Sequence, residues 1–322
     1  MESSFQDHDK LVWAFGGGKG GAGRTLLSTT LGILLAKEGR DVVILDGNLE
    51  CANAHTALGM RQPQKTLSDF IKGKTKDINE IAVPTPFRNL RLISSAGDCI
   101  SAASPSSSAA KNRLIKQVGS INCAHLFADI GPGLSFWPVD MFLESDVQVI
   151  VVTPEPTAVE TAYHFVRMLI YRKIKHMLGD PMLEVALKAE FTDMGVKGLS
   201  DVTERVLKTI SASDKPTADR IAKAIGEMEL KLVVNQTLDR HDKHIGPAMC
   251  EIVNKFYGVR MDYAGFIPFD ERVALSLRRG RPFIAEYETS ETAACFSLTL
   301  RELLNSASAK RGKRQLNFLA SS

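Results

Sequence analysis

Cysteine is scarce and scattered in this chain. The five cysteines (Cys51, Cys99, Cys123, Cys250 and Cys295) are odd in number and form no C-x-x-C pair, which argues against both a disulfide framework and a zinc site. Long apolar runs are missing as well: none approaches the roughly 18 residues of a membrane span. The opening MESSFQDHDK is polar and acidic, so the expectation is a protein of a reducing cytoplasm, neither exported by a signal peptide nor integral to a membrane. Nor does one sign of charge dominate. A net charge of +3 is too mild for a nucleic-acid coat, and basic surface has to come from local clusters. Two clusters exist: Arg278, Arg279 and Arg281, and Lys310, Arg311, Lys313 and Arg314.

What is present is enough for a large core, since 44% of the 322 residues are hydrophobic. Short continuous apolar runs recur at LVWAF (11–15), DVVIL (41–45), NLRLIS (89–94), AHLFAD (124–129), VQVIVVT (147–153), KLVVN (231–235) and DYAGFI (262–267). Bounded by Gly, Pro, Asp or Asn, they read as strands buried on both faces. Segments of helical period lie between them. The pattern predicts an α/β fold, a doubly wound and mostly parallel sheet with helices on both faces. The expected organisation is a flexible N-terminus (1–10), one domain over 11–305, and a basic flexible tail (306–322). Two segments break the alternation. The small-residue stretch 94–110 reads as a surface loop, with a lid or partner surface as the other option. The stretch at about 179–229 reads as a helical insertion with two helical patterns, SDVTERVLKTI and TADRIAKAIGEMEL.

The chemistry concentrates after the first strand. Gly18, Lys19, Gly20, Gly21, Ala22, Gly23, Arg24, Thr25 and Leu26 follow Gly16 and match the phosphate-binding pattern G-x-x-x-x-G-K-[ST] everywhere except at Arg24. Glycines let successive backbone N–H groups face phosphate oxygens, and the following helix adds its positive end. A Thr25 hydroxyl then suits Mg²⁺. The plainer alternative is a glycine-rich turn from strand to helix.

Lys19 inside the loop gives K-G-G-x-G-[K]-T, which resembles the deviant Walker A motif of the MinD/ParA group of P-loop NTPases. DVVILDGNLECANAHTALGM resembles that group's D-x-D segment. LFADIGPG resembles its Walker B and switch II, and LVVNQ and GFIPFDERVALSLRRGRPFI resemble later segments of the MinD/FlhG-like branch. The resemblance spans roughly residues 11–305. It implies an ATP- and ADP-binding switch that uses Mg²⁺ and forms a homodimer when ATP is bound. It further implies that Lys19 reaches phosphates held by the partner subunit, the alternative being a loop lysine on its own nucleotide. Thr25 would ligate the metal, and Asp46 and Asp129 would hold its water shell, although Asp46 could equally cap the turn after its strand. Asn235 would meet adenine, with Pro268 and Asp270 beside the base, while an Asn after a strand is also a common turn residue.

Two departures fall on catalytic positions of the family pattern, Lys19 being intact. Arg24 replaces the loop lysine, and Asn48 replaces the second aspartate of D-x-D, implied to orient the attacking water. Arginine keeps the charge but is bulkier and delocalised; asparagine loses the carboxylate's basicity. Phosphoryl transfer rests on positioning and charge stabilisation, so the expectation is nucleotide binding with slow hydrolysis, and regulation of the positioning or assembly of a cellular structure such as the flagellum. The alternative is a catalytically inactive scaffold or adaptor. A DNA-partitioning ATPase ranks lower because no recognition motif accompanies the arginines. An iron–sulfur protein ranks lower because no cysteine follows DIGPG directly. The expected partners are a second copy and a regulatory protein. The basic tail with Leu316, Phe318 and Leu319 gives at most weak contact, over 310–319, with the inner face of the membrane.

Overall fold

The computed structural model describes residues 10–48, 51–96, 116–133, 136–178, 181–192 and 199–321. Each expected apolar run forms a strand: β1 (Leu11–Gly16), β2 (Val42–Asp46), β4 (Leu90–Ile93), β5 (His125–Asp129), β6 (Val147–Val152), β7 (Glu229–Thr237) and β8 (Arg260–Pro268). A two-residue strand, β3 (Val83–Pro84), pairs antiparallel with β4 and is not among the runs expected from sequence, being too short for a periodic signal. The strands order as β3-β4-β2-β5-β1-β6-β7-β8 in one eight-stranded sheet, parallel except for β3. Because β1 is flanked by β5 on one side and β6 on the other, the winding reverses there. A crevice at such a switch point, outside the carboxyl ends of the strands, is where open α/β sheets bind ligands.

Each face of the sheet carries its own apolar layer. On one side Val12, Ala14, Leu126 and Val234 pack against Phe142 and Phe165, contributed by α4 (Phe136–Glu144) and α5 (Pro156–Met177). On the other, Trp13, Phe15 and Phe127 pack against Leu27 and Leu31 of α1 (Arg24–Lys37) and Phe296 of α12 (Glu291–Ser321). Alternate residues of β1 feed alternate layers, which is why its whole run must be apolar.

Further helices among the described residues are α2 (Ala54–Ala57), α3 (Leu67–Ile71), α6 (Pro181–Thr192), α7 (Leu199–Ser213), α8 (Lys215–Gly226), α9 (Asp242–Tyr257), α10 (Glu271–Arg278) and α11 (Phe283–Glu286). Among the described residues three helices, not two, lie in the stretch before β7, because PMLEVALKAEFT is itself helical. Asp214 alone separates α7 from α8; its carboxylate accepts the Thr217 N–H and caps α8. The α5 stripe Phe165, Leu169 and Ile174 is buried. Arg172 of the same helix has a largely buried side chain. Its guanidinium forms a fork with Asp140 at 2.5 and 2.7 Å, tying α5 to α4. Backbone of α12 stays helical through the basic residues assigned to a tail. Among the described residues no helix is long and apolar enough to cross a membrane. Residues 97–110 of the small-residue stretch lie outside the described residues.

Candidate nucleotide site

The loop from β1 to α1 alternates between ordinary and left-handed backbone, with Gly18 at φ 85°, Gly21 at 82° and Gly23 at 85°, conformations that cost a residue with a Cβ. Gly17 has a second constraint. A Cβ there would lie 2.3 Å from the Val151 carbonyl oxygen, so the loop can press onto β6 only without one. Gly20 and Gly21 face open space. The first turn of α1 contains no acidic residue, leaving its positive end uncompensated and suited to an anion. Leu26 lies within that turn and is half-buried.

Beneath the loop, three oxygen-bearing side chains from three elements meet. Asp46 at the end of β2 is in register with Asp129 at the end of β5, and the Thr25 hydroxyl donates to Asp129 Oδ2. Both carboxylates are buried. Burial, and then the facing charge of Asp129, push the Asp46 carboxyl up to about 7. Burial also raises Asp129, against the hydrogen bond from Thr25 and the charge of Arg24. Asp129 Oδ1 is buried without a hydrogen-bond partner, a costly state for a carboxylate oxygen. Hydroxyl, two facing carboxylates and an orphaned oxygen are a donor set that fits a hard divalent cation such as Mg²⁺. Among the described residues no group of three His, Cys, Asp or Glu could hold a metal, so the remaining oxygens would have to come from phosphate or water. Asp46 also serves its turn, accepting the N–H groups of Asn48 at 3.2 Å and Ala54 at 3.0 Å.

The two substituted positions are both engaged with backbone. Arg24 is 6% exposed. Its Nη1 donates 2.7 Å to the Lys19 carbonyl while Nε has no partner, and burial lowers its basicity against the opposing charge of Asp129. Asn48 uses both ends of its amide on one residue: Nδ2 donates to the Cys51 carbonyl at 2.9 Å, and Oδ1 accepts the Cys51 N–H at 3.2 Å. Aspartate could make only the second of these bonds. Lys19 lies half-buried on its own chain, its Nζ donating 3.0 Å to Thr157 Oγ1 and standing 4.0 Å from the Glu155 carboxylate at the start of α5.

Asn235 and the loop meet directly, since its Nδ2 donates 2.9 Å to the Ala22 carbonyl. Gln236 is not among the residues that the sequence singles out, because nothing in a strand pattern marks it, yet it donates 3.3 Å to the Gly21 carbonyl. Asp270 belongs to a structural cluster. It caps α10 through the Arg272 N–H, pairs with the Arg272 guanidinium at 2.9 and 2.7 Å, and accepts the Thr292 hydroxyl at 2.7 Å. These bonds hold its carboxyl down at about 2, against the penalty of burial. Pro268 closes β8 opposite Thr237, two residues from that cluster.

A glycine loop with this lysine, joined to Asp46 and Asp129 across the switch point, has a match among family models: the CobQ/CobB/MinD/ParA nucleotide binding domain covers residues 13–283. The chain belongs to this family. Similar proteins include the antiactivator FleN of Pseudomonas aeruginosa, 24% identical over 298 residues, or 92% of this chain and 87% of FleN. The flagellum site-determining protein YlxH of Helicobacter pylori is 26% identical over 152 residues, 47% of this chain and 51% of YlxH. Among solved structures, the septum site-determining protein MinD of Pyrococcus horikoshii complexed with Mg-ADP superposes with a TM-score of 0.61 at 17% identity, covering 94% of this chain and 98% of that one. The MinC:MinD cell division complex of Aquifex aeolicus gives 0.55 at 18%, covering 92% and 96%. These superpositions establish the MinD/ParA fold for this chain.

Proposed function

We propose that this chain is an ATP-binding MinD/ParA switch with slow hydrolysis that pairs with a second copy around nucleotide. It would regulate the positioning or assembly of a cellular structure, the flagellum being the one indicated. The observation that carries the reading is the meeting of Thr25, Asp46 and the orphaned Asp129 Oδ1 beneath an open glycine loop. The backbone N–H groups of Gly18–Thr25 and the positive end of α1 would bind the phosphates of ATP or ADP. Thr25 would hold Mg²⁺ directly, and Asp46 and Asp129 its water shell. When bound, Mg²⁺ supplies charge that neutralises the phosphates. Asn235, Pro268 and Asp270 would line the base.

Slow hydrolysis is supported by what Arg24 and Asn48 do. The Arg24 guanidinium commits a donor to the Lys19 carbonyl, and the Asn48 amide is committed at both ends to Cys51. Arg24 keeps further N–H donors, Nε among them, but is anchored to the loop itself, and the Asn48 amide has both ends engaged where water would be oriented. The flagellar assignment is supported by FleN and YlxH. The existence of a MinC:MinD complex supports a regulatory protein partner, and the chain would act in the cytoplasm or at the inner membrane face with weak contact through 310–319. The two engaged side chains equally favour a second reading, a scaffold whose nucleotide is structural.

Sedimentation with ATP, with ADP and without nucleotide separates the two. A dimer formed with ATP alone is expected, because a switch must bind its two states with different affinity. Equal association in all three conditions would leave the scaffold. Phosphate release at rates ordinary for an active ATPase would remove the claim of slow hydrolysis.

A further inference from the structure

Gln236 is a non-glycine residue in left-handed backbone, at φ 61°. Such a conformation is disfavoured for a side chain of this size and persists where surrounding structure enforces it. It sits at a register irregularity. Asn235 pairs with Ile267 and Thr237 pairs with the next residue, Pro268, so Gln236 is the extra residue of a bulge in β7. The consequence is geometric. Consecutive side chains on a regular strand point to opposite faces, yet here Asn235 and Gln236 both reach the glycine loop. They donate to consecutive carbonyls, Ala22 at 2.9 Å and Gly21 at 3.3 Å. The loop is shaped to receive them: a Cβ on Gly23 would stand 2.0 Å from Asn235 Nδ2.

A loop that binds phosphate through its N–H groups must keep its carbonyl oxygens turned away, since peptide N–H and C=O point in opposite directions along the chain. We infer that Asn235 and Gln236 form a paired amide clamp that holds two loop carbonyls outward, making Gln236 a positioning residue for the phosphate chain rather than a contact to the base. The strained bulge is the device that brings the second amide to the same loop as the first. This inference rests on the proposed nucleotide site and adds a residue to it.

The test is a competition assay with full-length protein and a fluorescent ATP analogue, displaced by ATP or by inorganic tripolyphosphate. Two variants are compared with wild type: Gln236→Gly, which removes both the amide and the strain, and Gln236→Met, which keeps the length and lacks the donor. Loss of one neutral hydrogen bond is about a fivefold effect. Both variants are therefore expected to bind ATP and tripolyphosphate about fivefold more weakly, while Gln236→Gly melts no lower than wild type. Unchanged affinity in both variants overturns the inference, as does weakened ATP binding with tripolyphosphate unaffected, which would make Gln236 a base contact. Wild type that binds ATP but is not displaced by tripolyphosphate also overturns it. Wild type that binds neither ligand overturns the nucleotide site itself.

Discussion

Asp46 and Asp129 face each other in register across β2 and β5, two buried carboxylates separated only by the spacing of adjacent strands. The charge of Asp129 disfavours ionisation of Asp46, and both carboxyls are displaced upward, burial being the larger cause at Asp46 and the raising cause at Asp129. An arrangement that costs stability in isolation and fits a divalent cation is a mark of a binding site. Removing one charge should therefore trade function for stability. Asp129→Asn is expected to raise the thermal midpoint of nucleotide-free protein, because one of two facing buried carboxylates, whose Oδ1 has no partner, loses its charge. The same variant should lose the extra stabilisation that Mg²⁺ adds to ATP, and differential scanning fluorimetry with and without Mg²⁺ reads both effects.

Arg24 and Asn48 make a joint prediction. Arg24→Lys with Asn48→Asp is expected to raise phosphate release on the order of a hundredfold, the size of a single positioning effect. Asn48→Asp alone should destabilise by about 1 kcal/mol through the lost donation to the Cys51 carbonyl. Turnover unchanged in the double variant would show that the two substitutions are not what slows the site.

Gly23 is required twice, by its left-handed backbone and by the closeness of Asn235. Gly23→Ala is expected to cost about 2 kcal/mol in urea unfolding and to abolish ATP binding. Gly39, also at positive φ but facing open space, supplies the control. Gly39→Ala should carry the backbone cost and bind ATP as wild type does.

Asp270 sets an acid limit. Its carboxyl is held at about 2, below its ordinary value, by Arg272 and Thr292. The sign follows: a depressed acid contributes stability that is complete above the unfolded value near 4 and is lost as pH falls through about 2. Wild type should lose this contribution between about pH 4 and 2. Asp270→Ala, expected to cost about 2 kcal/mol at pH 7 through the lost cap and ion pair, should lack that component of the acid transition. Urea titrations at stepped pH compare the two.

The sheet was legible because its information is local. Val42–Leu45 or Val149–Val152 buries both faces, so each run had to be continuously apolar whatever it paired with. The glycine loop was legible for the same reason, since left-handed backbone and close approach demand glycine at particular spacings. Strand β3 was not, because two residues carry no period. The ion pair of Arg172 was not legible either, because only the fold brings Asp140, from a separate helix, to its guanidinium.

The sequence by itself determined the doubly wound class and the phosphate loop with Thr25, consequences of what short segments can do alone, while the candidacy of Asp46 and Asp129 followed from resemblance to the MinD/ParA group. Tertiary structure decided how those groups are used: that Arg24 turns to a loop carbonyl, that Lys19 rests on α5, and that Asn235 grips Ala22 across 213 residues of chain. It also decided that a bulge aims Gln236 at the loop beside it. A hydrogen bond depends on distance and direction to within a fraction of an ångström, and those are set by packing of distant segments, which no local pattern encodes.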